Sequence, residues 1–245
     1  MSETIHYEKP QIQEAIISIR LNLPEELDVT QLDHYYDQVK DRLPQKNYAR
    51  SMQFKFDANE SSSTDEPRVA GILLKSADGT RALQLKQDAF VFSYLNQYTH
   101  WEEFLGEATS YLPLIFETFK PSKVGPAGTR FINNIPVPNA SYRDSSYFDT
   151  KISFLNKDEY PSEYLIQYVE ELGDVVCNVV QTRNSEHNQA AMINVILDID
   201  AMSTREIDFE EALNPNSKPW QRLREVKNQI FNSTLSEKAK EGLRG

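Results

Sequence analysis

The chain offers few residues whose type and spacing could support chemistry. Its four histidines, His6, His34, His100 and His187, form no HExxH motif and no i, i+4 pair, the spacings at which a helix presents zinc ligands. The single cysteine, Cys177, lies in a β-branched run. A reactive thiol needs solvent access and a lowered pKa, so this context predicts a buried hydrophobic residue instead. The sequence therefore predicts no metal, no cofactor and no disulfide.

Asp198 and Asp200 are two positions apart in an alternating stretch, so their carboxylates share one face of a predicted strand. Such a pair could hold Mg²⁺ or Ca²⁺. The opposite face carries Ile193, Val195 and Leu197. This pattern favours two solvated aspartates at a strand end over a metal site.

Phosphate-binding and nucleophile motifs are missing. The chain has eight glycines, and the segment Gly125–Gly128 precedes a predicted strand rather than a helix, so it offers an anion no helix N-terminus. A G-x-S-x-G elbow is absent as well. These observations predict no catalytic residues and favour a non-enzymatic protein.

Arg130 and Asn133 form the most informative polar pair, because they interrupt an otherwise apolar predicted strand. Alternation places Arg130 on one face and Asn133 on the other, together with Phe131. The functional interpretation is a face that contacts a ligand or partner, to which we add Tyr98 and Trp101. The structural interpretation, which the sequence favours, is an arginine paired with an acid and a tryptophan in the core.

The first half of the chain is predicted to run β-α-β-β-β-α. Alternation over residues 15–23 indicates a half-buried strand, and Asp78-Gly79 indicates a hairpin turn. The next expected elements are a helix from Asp28 or Thr30 to Leu43, and strands at Met52–Phe56 and Val69–Lys75. A returning strand carries Leu83 and Leu85, and its continuation through Phe90 and Phe92 is left open. The half closes with a helix at Trp101–Phe119, with a Thr99/Glu102 capping box and a kink or break at Pro113.

The second half is predicted to repeat this order without the first helix. It begins with a strand at Thr129–Val137, followed by irregular chain at 139–162 with a helical turn near Ser145–Phe148. A hairpin of Tyr164–Glu171 and Asp174–Arg183 and a strand at Ala191–Ile199 come next. The last element is a helix opened by Ser217 and Pro219. The chain's tryptophans, Trp101 and Trp220, each begin a closing helix.

These patterns predict an α+β protein in which antiparallel sheets are covered by helices. The halves, β-α-β-β-β-α and β-β-β-β-α, are interpreted as a pseudo-repeat. The expected domains are residues 1–122 and 123–245, with one continuous domain as the alternative.

Three segments carry a resemblance to a known family. They are Tyr7–Ala15, Val91–Phe104 and Gly128–Pro136, and Asn134 stands where the family usually has arginine. The chain resembles a sporadically distributed family of uncharacterised bacterial and archaeal proteins. The resemblance implies no assigned enzymatic activity, and its patchy distribution is typical of accessory or defence-associated genes.

Charge and hydropathy narrow the classes of partner. The 245 residues carry 26 basic and 37 acidic side chains, a net charge of -11, which argues against nucleic acid and anionic membranes as partners. No apolar stretch is long enough to span a bilayer, and the first residues lack a signal peptide.

We expect a cytoplasmic protein that binds an unidentified protein partner. The alternative is a small-molecule binder or enzyme with a pocket between sheet and helices, lined by Tyr94, Tyr98, Phe131, Tyr147 and Phe148. The oligomeric state, a dimer included, stays open.

Overall fold

Within the residues that the structure describes, nine β-strands form one sheet and account for most of the regular structure. The computed structural model describes residues 11–24, 27–51, 68–138, 147–150, 163–183 and 192–244. The strands are β1 (Ile12–Leu21), β2 (Gln45–Ser51), β3 (Arg68–Lys75), β4 (Arg81–Lys86), β5 (Ala89–Leu95), β6 (Val124–Pro138), β7 (Tyr164–Leu172), β8 (Val175–Arg183) and β9 (Met192–Ser203).

The sheet has the order β2-β3-β4-β5-β1-β6-β9-β8-β7, and its neighbouring strands are antiparallel. β1 and β6 lie next to each other, with Ile16 opposite Arg130. A single sheet therefore runs through both halves of the chain. The boundary at residue 122 and the pseudo-repeat remain predictions.

The helices of the described chain pack on the sheet and on one another. They are α1 (Val29–Val39), α2 (Trp101–Ser110), α3 (Leu112–Phe119), α4 (Phe209–Leu213), α5 (Lys218–Thr234) and α6 (Glu237–Arg244). α5 packs on β6, β8 and β9, while α1 packs on β3 and on α3. Together with the large antiparallel sheet, these helices confirm the predicted α+β class.

Strict alternation along the central strands divides the sheet into two faces. Ile17, Phe131 and Ile199 are at most 1% exposed, whereas Ile16, Arg130 and Asp200, which alternate with them, are partly exposed. The strand registers bring the buried residues of all central strands onto one side. We call this side the covered face and the other side the open face.

Several local predictions are confirmed. The Asp28 side chain accepts a hydrogen bond from the Thr30 amide and caps α1. The break expected at Pro113 separates α2 from α3, because proline has no amide proton to continue the helical ladder. Gly79 adopts a φ of +73° in the predicted hairpin turn.

Other predictions are wrong in detail. The strand with Leu83 and Leu85 does not continue through Phe90 and Phe92, because β4 ends at Lys86 and a tight turn leads into β5. β6 begins at Val124 and includes the glycine segment that was expected to precede it. The first residue before α2 is His100, without a side-chain cap, and the Thr99 hydroxyl instead donates to Glu103.

The predicted strand at Met52–Phe56 and most of the irregular segment lie outside the described residues. Phe148 lies within them and forms an isolated antiparallel bridge with Leu235. In the described ranges, no helix combines the length and the apolar character needed to cross a membrane.

Candidate functional site

The candidate residues from the sequence lie on both sides of the sheet. Arg130 is on the open face, whereas Asn133 is buried on the covered face at 3% exposure. Trp101 and Tyr98 lie on the covered side, where both rings contact Phe131. The structure therefore brings three of the four residues near one another and separates Arg130 from them.

Arg130 forms a bidentate ion pair across β6 and β9. Its Nε donates to Asp198 Oδ1 at 2.9 Å, and its NH2 nitrogen donates to Oδ2 at 2.5 Å. The Arg130 side chain is 43% exposed and that of Asp198 only 13%. An arginine paired with an acid was expected, but the expectation of a solvated Asp198 is wrong, because the arginine fork and the sheet shield it.

Asp200 lies directly opposite Arg130 in the β6–β9 register. The Nε and NH2 nitrogens of Arg130 both donate to Asp198. Among the described residues, the Asp200 carboxylate accepts no hydrogen bond. Burial raises the pKa of Asp200, the Arg130 charge opposes that rise, and Asp198 adds to it. Asp200 is thus a half-buried acceptor without a cation of its own.

Half-exposed aliphatic side chains surround this charge cluster on the open face. Ile132 lies opposite Asp198 on the neighbouring strand, and Ile16 lies opposite Arg130. Further out on β8 and β9, Val176, Val180 and Ile196 share the same face and partial exposure. The open face therefore has an acidic centre with apolar surroundings.

One further acceptor on the open face has no partner within the described residues. The Oδ1 atom of Asn134 is buried and unpaired. Asn134 follows Ile132 along the same face of β6. A buried acceptor without a donor is unfavourable by about 1–3 kcal/mol, so a donor-bearing ligand would relieve this site.

On the covered face, Phe131 is the centre of an aromatic cluster. Its ring centroid lies 5.1 Å from that of Tyr98 in an edge-on arrangement, 6.3 Å from Phe104 and 6.4 Å from Trp101. The Lys227 ammonium lies 4.1 Å from the same centroid, within the range of a cation–π contact. β6, α2 and α5 together build this cluster.

Lys227 has no carboxylate within ion-pair distance among the described residues, and its ammonium lies against the π-face of Phe131. Burial lowers the pKa of Lys227 to about 7, and the nearby Arg224 charge contributes to the same effect. Arg224 itself is neutralised by Glu102, with its NH1 nitrogen 2.7 Å from a carboxylate oxygen across α5 and α2. Lys227 is therefore an amine that can lose its proton near neutral pH.

The other polar groups of the cluster differ in how they are satisfied. The Asn133 amide donates to the Phe131 and Leu197 carbonyl oxygens at 3.1 and 2.9 Å, so it fixes the sheet. The Trp101 Nε1 is buried and has no acceptor among the described residues. Burial raises the pKa of the Tyr98 hydroxyl.

The pocket expected between sheet and helices is packed with rings where the structure describes it. Of its predicted lining residues, Tyr94, Phe131 and Phe148 are at most 5% exposed. An open groove of about 560 Å³ lies elsewhere, between α1 and α3, with Gln31, His34 and Glu117 among its lining residues. No ring of the predicted pocket lines this groove.

Cys177 is buried, as predicted, and burial raises the pKa of its thiol to about 12. Within the described residues, no group of three or more histidine, cysteine, aspartate or glutamate side chains could hold a metal ion. Neither observation points to nucleophilic or metal chemistry in this part of the chain.

Sequence reasoning missed Lys227 and the role of Phe131. A signal existed in the helical spacing. Counted from Leu223, Lys227 is at i+4 and Ile230 at i+7, so Lys227 lies within the apolar stripe of α5. A charged residue at such a position either reaches solvent or lies in a site.

Comparisons with known proteins do not assign the chain to a family. No protein-family model matches the chain, and no curated protein matches it. Among solved structures, the chain aligns with the PH1012 protein from Pyrococcus horikoshii OT3 at 9% identity, over 89% of this chain and 88% of the other, with a TM-score of 0.13. A score this low supports no statement about fold or function.

Proposed function

We propose that this protein is a non-enzymatic binding module whose open sheet face takes a basic segment of a protein partner. The observation that carries the proposal is Asp200, a half-buried carboxylate without its own cation at the centre of that face. Among the described residues, the cation that faces it across the strands is Arg130, and Arg130 is engaged by Asp198. A lysine or arginine from a partner would supply the missing charge.

The surroundings of Asp200 fit such a side chain. Lysine and arginine carry an aliphatic stem below the charged group, and Ile132 and Ile16 offer partly exposed apolar surface next to the acids. Glu14 and Asp200 also act on Arg130 electrostatically. Acids thus outnumber the single arginine in this cluster, as they do over the whole chain at -11, and this charge would steer a basic partner to the face.

The cellular role follows as part of the same proposal. The resemblance to a sporadically distributed family supports an accessory or defence-associated role in the cytoplasm, with a protein as the bound partner. Nucleic acid and anionic membranes are disfavoured partners, because both would meet a negative surface.

The test uses synthetic peptides of matched length that differ only in lysine and arginine content. Isothermal titration should give saturable binding of the basic peptides and none of the acidic ones. Asp200→Asn should weaken binding about 10- to 100-fold, the value of a hydrogen bond to a charged group. Asp41→Asn removes the same charge from an exposed position and should leave the affinity within about twofold, within the effect of one remote surface charge.

Equal losses in Asp200→Asn and Asp41→Asn would show that only overall charge attracts the peptides, and would refute a site at Asp200. Ile132→Lys provides a second readout, because it adds a competing cation beside Asp198. If that variant binds basic peptides as well as the wild type does, the open face is not the binding surface.

A further inference from the structure

Within the described part of the chain, β7 is an edge strand whose charged residues, Glu170 and Glu171, are confined to the end next to the turn. It has nine residues, and within the described ranges its only strand neighbour is β8. The β7–β8 register is unbroken from Tyr164 to Leu172. The opposite edge, β2, differs, because its register shifts between Ala49 and Arg50 and it carries Lys46, features that discourage edge pairing.

The exposed apolar residues of the described chain concentrate on this edge. Leu165 is 68% exposed and Val169 is 58% exposed, more than any other large hydrophobic residue described. Both lie on the open face of β7, on either side of Gln167. Such a pair on a regular edge invites a further strand.

The turn after β7 determines which backbone groups point outward. Leu172 and Val175 are paired across a two-residue loop, and Gly173 has a φ of +70°, as in the II′ hairpin turn. Residues that flank such a turn exchange hydrogen bonds with each other. Every second residue back from Leu172, Tyr168 and Ile166 among them, therefore forms backbone hydrogen bonds with β8. The amides and carbonyls of the residues between them, Leu165, Gln167 and Val169, face away from the sheet.

We propose that two copies of this chain pair antiparallel through β7, with Gln167 on the two-fold axis. An antiparallel pair must place outward-bonding residues opposite one another. Of the registers that do so, the one centred on Gln167 sets Leu165 opposite Val169 of the second copy, and the reverse. This register buries all four exposed aliphatic side chains against each other and joins the two sheets into one.

This dimer goes beyond the proposed partner site and does not depend on it. Asp200 lies on β9, separated from β7 by β8 in the sheet order, so the two surfaces can be tested separately. In the proposed register Glu171 lies opposite position 163 of the second copy, which is also glutamate. Salt screens this repulsion and that between two chains of net charge -11, so the dimer should strengthen as salt rises, whereas the basic-peptide complex should weaken.

Gln167→Pro is the most selective perturbation. Proline removes an amide donor that points outward, so it should prevent pairing and leave the backbone bonds to β8 in place. It also removes an exposed side-chain hydrogen bond to β8, in which Gln167 Nε2 donates to Asn178 Oδ1 at 2.8 Å. Val169→Lys places a charge in the centre of the interface, and Val29→Lys is the matched control at a site on α1 that is 41% exposed. Sedimentation equilibrium should show a dimer for the wild type and for Val29→Lys, and monomers for Gln167→Pro and Val169→Lys with unchanged circular dichroism.

A positive test uses cysteine at the axis. Residues in a hydrogen-bonded antiparallel pair have Cα atoms about 5.5 Å apart, a separation that a disulfide can bridge. Gln167→Cys should therefore form a covalent dimer on mild oxidation, while Asn178→Cys, on β8 of the same face, should not. Cys177 is buried and should stay out of the reaction.

A wild-type chain that stays monomeric at high salt, or a dimer that persists in both Gln167→Pro and Val169→Lys, would overturn the proposal. Asp200→Asn should leave the dimer unchanged, and Gln167→Pro should leave basic-peptide binding unchanged. Loss of one property without the other therefore identifies which of the two proposals has failed.

Discussion

Replacing Lys227 by methionine should stabilise the protein, and more at pH 6 than at pH 9. The Lys227 ammonium lies over the Phe131 ring without a carboxylate partner among the described residues, and its pKa falls from 10.5 to about 7 in the folded protein. Between those values the folded protein holds fewer protons than the unfolded chain. Its stability therefore rises with pH through this window, and at pH 6 the full penalty of the partly buried charge is present.

The size of the gain follows from two opposing terms. Lowering the pKa to about 7 disfavours the charged amine by about 5 kcal/mol, at about 1.4 kcal/mol per pH unit. The Phe131 contact favours the charged form and returns about 1–2 kcal/mol. Methionine has nearly the shape of the lysine stem and fills the same space. We expect Lys227→Met to raise the free energy of unfolding by about 3 kcal/mol at pH 6. At pH 9 the gain should be smaller by about 2 kcal/mol, because most of the lysine is then already neutral in the wild-type protein.

Urea unfolding at both pH values measures this difference, with m-values compared to exclude a change in the unfolded state. Lys218→Met is the control, since Lys218 lies on the same helix but is exposed. A Lys227→Met variant that is less stable than the wild type at pH 6 would refute the reasoning. So would an equal gain at both pH values, because it would show that Lys227 stays protonated throughout.

Further predictions concern packing, pairing and reactivity. Phe131→Ala should lower the free energy of unfolding by about 3–5 kcal/mol, measured by urea titration, because the ring is 1% exposed. Gly71→Ala should lower the melting temperature, since an added Cβ would lie 2.2 Å from the Leu85 carbonyl oxygen; an unchanged melting temperature would contradict the close approach of β3 and β4. Asp198→Asn should lower the free energy of unfolding by about 1–2 kcal/mol, less than a fully buried pair would lose, because Arg130 is 43% exposed. Cys177 should react with a disulfide reagent only on unfolding, since burial raises its pKa to about 12, and rapid labelling in native buffer would show otherwise.

The parts of the fold that follow from the sequence are those where local periodicity and burial agree. Ile17 and Ile19 alternate in the sequence and lie on the covered face, and Leu32, Tyr35 and Val39 follow helical spacing and are buried in α1. At these positions each strand or helix has one buried face, so the pattern of apolar residues contains the answer.

The missed elements lack that agreement. β2, at Gln45–Ser51, is mostly polar because it is an edge strand, so its sequence has no apolar alternation. The turn between β4 and β5 contains Gln87 and Asp88, and a single aspartate without glycine or proline is a weak turn signal.

The candidate site could be predicted only in part. The sequence pointed to Arg130 and to pairing with an acid, but the choice of Asp198 over Asp200 depends on rotamers and on strand register. Lys227 meets Phe131 across 96 positions of chain, through the packing of α5 on β6. Contacts of that kind are set by tertiary structure, which a single sequence does not contain.

The position of β1 has a consequence for synthesis of the chain. β1 is synthesised before the other described strands, yet it lies in the interior of the finished sheet between β5 and β6. At about 5–20 residues per second, β6 emerges of the order of ten seconds after β1. During that interval, even after β5 has paired, the outer side of β1 exposes unpaired amides and carbonyls. The exposed side of β1 could pair with other nascent chains on the same messenger RNA. The nascent first half should therefore depend on chaperones, or on slow codons placed after β6 rather than before it.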